Sequence, residues 1–126
     1  MRNKYRNSKV RTAEGLEFDS RKEYYEYLNL VALQEEGKIK NLQCQVKYEL
    51  IPKQQLDKPY KSANSSRVTR SLTAVNYVAD FVYDAWNADI EGYETIVVDT
   101  KGFRTKDFII KKKLMKFIHN IEVLEK

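Results

Sequence analysis

Residues 75–84 read VNYVADFVYD and residues 95–102 read TIVVDTKG. Both runs are rich in β-branched and aromatic residues, the composition of buried or half-buried strands. In the first, Val75, Tyr77, Ala79, Phe81 and Tyr83 alternate onto one face and Val78, Asp80 and Val82 onto the other, which sets Asp80 in an apolar row. In the second, a strand over 96–101 places Asp99 and Lys101 on the same face, about 6.5 to 7 Å apart along it. If the two strands are neighbours, Asp80 comes level with Asp99. Two carboxylates that close on an apolar face repel strongly unless a cation or a proton lies between them. A divalent metal resolves that conflict, and Lys101 adds a positive charge at the same place.

Working outward, 20–36 (SRKEYYEYLNLVALQEE) sets Tyr24, Tyr27, Leu28 and Val31 at the i, i+3, i+4, i+7 spacing of an amphipathic helix. Ser20 and Glu23 form a capping-box pair at its start and Gly37 is a stop signal at its end. Glu23 lies one turn before Tyr27, on the border of the buried stripe, where it is able to approach the Asp80/Asp99 site. Residues 42–50 alternate, with Leu42, Cys44, Val46, Tyr48 and Leu50 on one face, and predict a half-buried strand. Residues 52–73 hold both prolines and a SANSS tract, show neither periodicity, and read as a long basic loop or hairpin tip. Residues 105–118 predict a second, lysine-rich helix, and IEVLE a last short strand. The order αβββαβ defines an α/β domain with a central mixed sheet of about four strands flanked by helices, filling 1–126 as one unit.

Charge falls in blocks within a net +5. Residues 1–11 carry five bases and no acid, 37–72 eight bases against two acids, and 101–126 eight bases against three acids, whereas 73–100 carry six acids and no base. Basic ends around an acidic centre suit a protein that attracts a polyanion and holds a cation. One cysteine, Cys44, excludes an internal disulfide. With His119 as the one histidine, a Cys/His zinc centre is excluded too. A metal here must be held by oxygen donors, which favours Mg²⁺ or Mn²⁺. No apolar run is long enough for a membrane helix and no signal peptide is visible, so an intracellular, cytoplasmic protein with no membrane partner is expected. The basic arm at 1–12 and the loop cations Lys53, Lys58, Lys61, Arg67 and Arg70 suit nucleic-acid phosphates, as do Lys111, Lys112 and Lys113 of the second helix.

Glu23 on the first helix, Asp80 on the second strand and Asp99-Thr100-Lys101 at the end of the third resemble, in order and placement, the PD-(D/E)XK nuclease superfamily. Within it, GLEFDSRKEYYEY, YVADFVY, VVDTKGF and KDFIIKKKLMKF resemble a family of small phage-encoded proteins described as endonucleases of unassigned substrate, over roughly residues 4–125. The resemblance implies a restriction-endonuclease-like core with Asp80, Asp99, the Thr100 carbonyl and Glu23 as metal ligands, and Lys101 orienting or activating the attacking water. The proline that names the superfamily's motif is absent, because Val78-Ala79 precede Asp80. By analogy the substrate is duplex or branched DNA, such as a fork or Holliday junction, cut by a homodimer in phage recombination, repair or replication. The competing reading from another class is a catalytically silent nucleic-acid-binding or recombination accessory protein. Simpler roles also exist for single residues: Glu23 as no more than the cap partner of Ser20, and Asp99 with Lys101 as an exposed ion pair worth under about 1 kcal/mol.

Overall fold

Ser20 and Gly37 bound the first helix as their chemistry requires. In the computed structural model, which describes residues 9–100 and 104–126, helix α1 runs Arg21–Glu35. The Ser20 hydroxyl accepts from the Glu23 N–H at 3.1 Å. At the other end Gly37 takes a φ of 78°, its N–H donates to the Gln34 carbonyl, and the Lys38 N–H donates to the Leu33 carbonyl. That is a Schellman stop, in which glycine occupies a left-handed position at no Cβ cost. Ahead of α1, strands β1 (Val10–Arg11) and β2 (Glu17–Phe18) pair across a short turn. Arg11 and Lys9 both reach Glu17, so this part of the expected N-terminal arm is folded back and ion-paired; residues 1–8 lie outside the described residues.

Strands β3 (Ile39–Ile51), β6 (Val75–Asn87), β7 (Gly92–Asp99) and β8 (Val123–Glu125) form the central sheet in the order β3-β6-β7-β8. The first three are antiparallel neighbours and β8 joins β7 in parallel. A parallel neighbour needs a crossover, which helix α2 (Lys106–His119) supplies between β7 and β8. Asn120, at φ 55°, closes α2, where an asparagine tolerates the left-handed turn that a bulkier residue resists. The expected mixed α/β order of αβββαβ is therefore present, with two small two-stranded sheets added to it.

The helices cover opposite faces. On β7 the neighbours Val97 and Val98 point apart: Val97 packs with Phe108 and Met115 of α2, and Val98 with Leu30 of α1 and Phe18. Along β6, however, Tyr77, Ala79 and Val82 join the α2 side while Phe81 and Tyr83 join the α1 side. The alternation changes parity between Ala79 and Phe81, at Asp80. Strand β3 changes at the same level. Leu42 packs toward α1, but Val46, Tyr48 and Leu50 pack toward α2, and between them Gln45 adopts a φ of 54°. The unbroken alternation expected of both strands is thus corrected. A left-handed residue rotates the chain out of the pleat, so the rows beyond it exchange faces.

Of the two readings of 52–73, loop or hairpin tip, the chain forms a hairpin, with strands extending over most of the segment. Strands β4 (Gln54–Lys61) and β5 (Val68–Leu72) pair from Gln54↔Leu72 to Lys61↔Val68, continuing the β3–β6 ribbon, whose last pair is Ile51↔Val75. Neither strand shows an apolar period because neither face is covered: every residue of both is exposed or half-buried. Between Gln55 and Tyr60 the β4 side carries extra residues, among them Pro59, which cannot donate to a ladder and is tolerated in such a bulge. The β7 strand begins earlier than expected, because the β6–β7 turn tightens to the four residues between the Asn87↔Gly92 pair. Trp86 packs edge-on against Tyr93 across that hairpin, 5.5 Å between ring centres.

Candidate active site

Among the described residues, the buried polar side chains are Glu23, Asp80, Asp99 and Thr100. Burying carboxylates costs several kcal/mol each unless they are hydrogen-bonded, protonated or matched by a cation, so three of them in one small domain require an explanation. Gln45 links Glu23 of α1 with Asp80 at the parity-breaking step of β6 and Thr100 bonds to Asp80, while Asp99, at the end of β7, is bonded to Tyr77 on the α2 side.

Asp80 sits where β6 changes face, and its Oδ2 accepts from both the backbone N–H and the hydroxyl of Thr100, at 2.8 and 2.9 Å. Phe81↔Val98 is the last pair of the β6–β7 ladder, and Asp80 and Asp99 each lie one residue beyond it. Asp99 is fully buried, and its Oδ2 accepts from the Tyr77 hydroxyl at 2.7 Å. Burial, that hydrogen bond to Asp99 and the charges of Asp99 and Asp80 all push the Tyr77 phenol far above its ordinary range, so it remains a donor. Glu23 is held at both oxygens. Oε2 accepts from the Asp19 N–H at 3.2 Å, and Oε1 from the Gln45 amide at 2.8 Å. The same Gln45 nitrogen lies 3.4 Å from Asp80 Oδ1, so one side chain links the helix acid to the strand acid. Burial first, and the Asp80 charge second, raise the Glu23 pKa to about 7. Glu23 therefore serves as cap partner and as cluster member at once.

Two residues of this network escape a reading of the sequence. Gln45 is exposed and its acid partners are buried, so it stands at the solvent side of the cluster. Its orientation depends on a positive φ at a non-glycine residue, a strained conformation of the kind that concentrates at functional sites. Tyr77 looks like one more aromatic of the core row. The signal for it was present: a buried phenol needs an acceptor, and Asp99 was the nearest acid on a neighbouring strand. Cys44, beside Gln45, has its thiol pKa raised by burial and by the charges of Glu23 and Asp80.

Thr100 donates twice to Asp80. Lys101 lies outside the described residues. Lys58, Lys61, Arg67 and Arg70 are exposed on or at the tip of the β4–β5 ribbon. Lys111 is half-buried, and Lys112 is engaged by Glu125 at 2.6 Å, with Arg104 on the other oxygen of that carboxylate at 2.8 Å. Beside them an open groove of about 510 Å³ runs between α2 and β8, lined by Arg104, Lys112, Lys113, Lys116 and Leu124 among others. His119 bonds to the Glu49 carbonyl oxygen at 2.7 Å and tethers α2 to β3.

The donors of the cluster are all oxygen, which fits a hard divalent ion and not zinc. Among the described residues no trio of His, Cys, Asp or Glu is arranged to hold a metal ion. Two carboxylates and a backbone carbonyl are nevertheless a sufficient protein share for Mg²⁺, which retains much of its water and is commonly held by one or two carboxylates. Glu23 and Asp80 form no ion pair with any described residue, so no described side chain neutralises them.

Fold and cluster together define a mixed α/β domain with an acid centre at the break in its sheet. The chain belongs to the family described as Protein of unknown function (DUF1064), whose model matches residues 2–123. No curated protein and no solved structure matches it. Among the described residues no helix is long and apolar enough to cross a membrane.

Proposed function

We propose that the chain is a metal-dependent endonuclease that hydrolyses DNA phosphodiester bonds on a restriction-endonuclease-like core. It acts in the cytoplasm on branched or duplex DNA of a phage or prophage, as a homodimer that presents one site to each strand. The observation that carries the reading is the coincidence of two sets. The acids expected to hold a metal, Glu23, Asp80 and Asp99, are the acids the fold buries, and Thr100, the expected carbonyl donor, is buried with them. A purely structural domain gains nothing from three buried carboxylates, whereas a phosphoryl-transfer site needs fixed negative charge to hold a cation.

Asp80, Asp99, the Thr100 carbonyl and Glu23 would hold Mg²⁺ or Mn²⁺, which when bound supplies Lewis acidity toward a phosphoryl oxygen and a lowered water pKa. The protein's own part is preorganisation. Thr100 fixes one oxygen of Asp80 with two donors, Tyr77 fixes one oxygen of Asp99, and Gln45 sets Glu23 and Asp80 in mutual register. Donors fixed before reaction need no reorganisation while charge develops. Lys101, two residues beyond Asp99, is assigned the orientation of the attacking water and a positive charge toward the phosphate.

The test is cleavage of linear duplex, flap, fork and four-way junction with Mg²⁺, with Mn²⁺ and with EDTA. Cutting that requires a divalent ion and prefers a branched substrate is expected. Tight binding with no cutting under any divalent ion would favour the silent accessory protein, and cutting indifferent to EDTA would exclude the acid cluster as the centre.

A further inference from the structure

The β4–β5 ribbon is the part of the described molecule that the acid cluster does not use. Its strands pack chiefly on each other and form a sheet separate from the central one. Lys53 at its base, Lys58 and Arg70 along it, and Lys61 and Arg67 at its tip are all exposed, against one acid, Asp57. None of these five cations has an ion-pair partner among the described residues. Elsewhere among the described residues Lys9, Arg11, Lys38, Arg104, Lys112, Lys116 and Lys126 meet carboxylates, while Arg21, Lys22, Lys40, Lys47, Lys106, Lys111 and Lys113 do not; the ribbon is the stretch where five unpaired cations fall within eighteen residues. A projecting strand pair with unneutralised charge on an uncovered surface has no stabilising work to do within the monomer. Its complement is a polyanion long enough to lie along it.

The geometry relative to the cluster is fixed by register, because β6 runs without interruption from Val75 at the root of the ribbon to Asp80. At about 3.3 Å per residue, Arg70 lies up to roughly 33 Å from Asp80 along the chain and Val68, at the tip, up to roughly 40 Å. At about 3.4 Å per base pair those distances correspond to roughly 10 and 12 base pairs of duplex. A two-stranded ribbon is also of a width that a DNA major groove admits.

We propose that the β4–β5 ribbon is a clamp for double-stranded nucleic acid flanking the reacting bond, gripping phosphates up to about one helical turn from the acid cluster and so requiring a minimum length of duplex. This rests on the reading of that cluster as the reaction centre, since the reach is measured from it. Tyr60, half-exposed on β4 beside Lys61, offers an apolar contact for the sugar–phosphate edge.

The test measures binding in EDTA by fluorescence anisotropy across a range of salt, on duplexes of about 8 and about 30 base pairs. The variant combines Lys58→Ala, Lys61→Ala, Arg67→Ala and Arg70→Ala, with Lys58→Arg/Lys61→Arg as a charge-conserving companion. On the longer duplex the wild type is expected to show a dependence of log K on log salt steeper than the variant's by about 3 to 4, at about 0.9 per lost phosphate contact. On the short duplex the two should coincide, and the companion should follow the wild type on both. Equal affinity of variant and wild type on the long duplex overturns the clamp, as does an equal loss on both lengths. Because no cleavage is measured, the two readings fail separately. A clamp that fails while the protein still cuts DNA leaves the nuclease proposal standing, and length-dependent binding by a protein that never cuts does the reverse.

Discussion

Replacing Asp99 by asparagine is expected to lower divalent-dependent DNA cleavage by on the order of a thousandfold while leaving DNA affinity unchanged. Asparagine has nearly the shape of aspartate, and its carbonyl oxygen still accepts from the Tyr77 hydroxyl, which Asp99 Oδ2 now does at 2.7 Å. What is lost is the negative charge at a fully buried position. An alanine would be a poorer probe, since it would leave a buried phenol without an acceptor at a cost of about 1 to 3 kcal/mol and confuse activity with stability. The measurement is single-turnover cleavage with Mg²⁺ beside anisotropy binding of the same substrate. Unchanged cleavage would remove Asp99 from the reaction, and a parallel loss of binding would move it to substrate recognition.

The second large effect concerns pH. Glu23 has a pKa of about 7 in the folded protein against an ordinary 4.5, through burial and the Asp80 charge. Between those values the native state keeps a proton that the unfolded chain has released, so stability falls as pH rises. The stabilisation is fully present below about 4.5 and lost once pH has climbed through about 7. The metal-free protein is expected to lose about 3 kcal/mol across that window, by urea unfolding in EDTA. Glu23→Gln should lack this fall, so that the difference in stability between variant and wild type carries it. The exposed acids Glu17 and Glu125 do not confuse the result. The first is held below the usual range chiefly by its hydrogen bond from Arg11 and the second by that from Lys112, so both titrate below the window. A wild type whose stability rises through the window, or a variant with the same fall, would contradict the assignment to Glu23.

The αβββαβ order and Asp80 as an acid in an apolar row were legible because they depend on period and caps, whereas Thr100 was named only through the family resemblance. Ser20, Glu23 and Gly37 bound α1 by chemistry local to the chain. Gln45 was not legible. Nothing in CQVKY announces a left-handed residue, since glutamine is not a type that favours it, and the parity change it brings is imposed by the packing of α1 and α2 on opposite faces. The faces read from simple alternation consequently fail beyond Asp80 on β6 and beyond Gln45 on β3, even though the identity of the buried acids holds. The strands of the β4–β5 hairpin were not legible for a different reason. A strand with no covered face is under no pressure to alternate, so its sequence resembles a loop. Lysine counts on α2 were equally uninformative, because partners distant in sequence decide which lysines are available, as Glu125 does for Lys112.

The most direct measurement of the central claim is uptake of Mn²⁺ by the purified protein, followed by electron paramagnetic resonance or calorimetry and compared with Asp80→Asn, whose side-chain oxygen retains an acceptor for Thr100. Wild type should bind the ion and the variant should bind it more than about tenfold more weakly, at least the loss that follows from disturbing a ligand's surroundings. Equal affinity in the two proteins, or no uptake by the wild type, would mean that the buried acids of this sheet do not hold a metal.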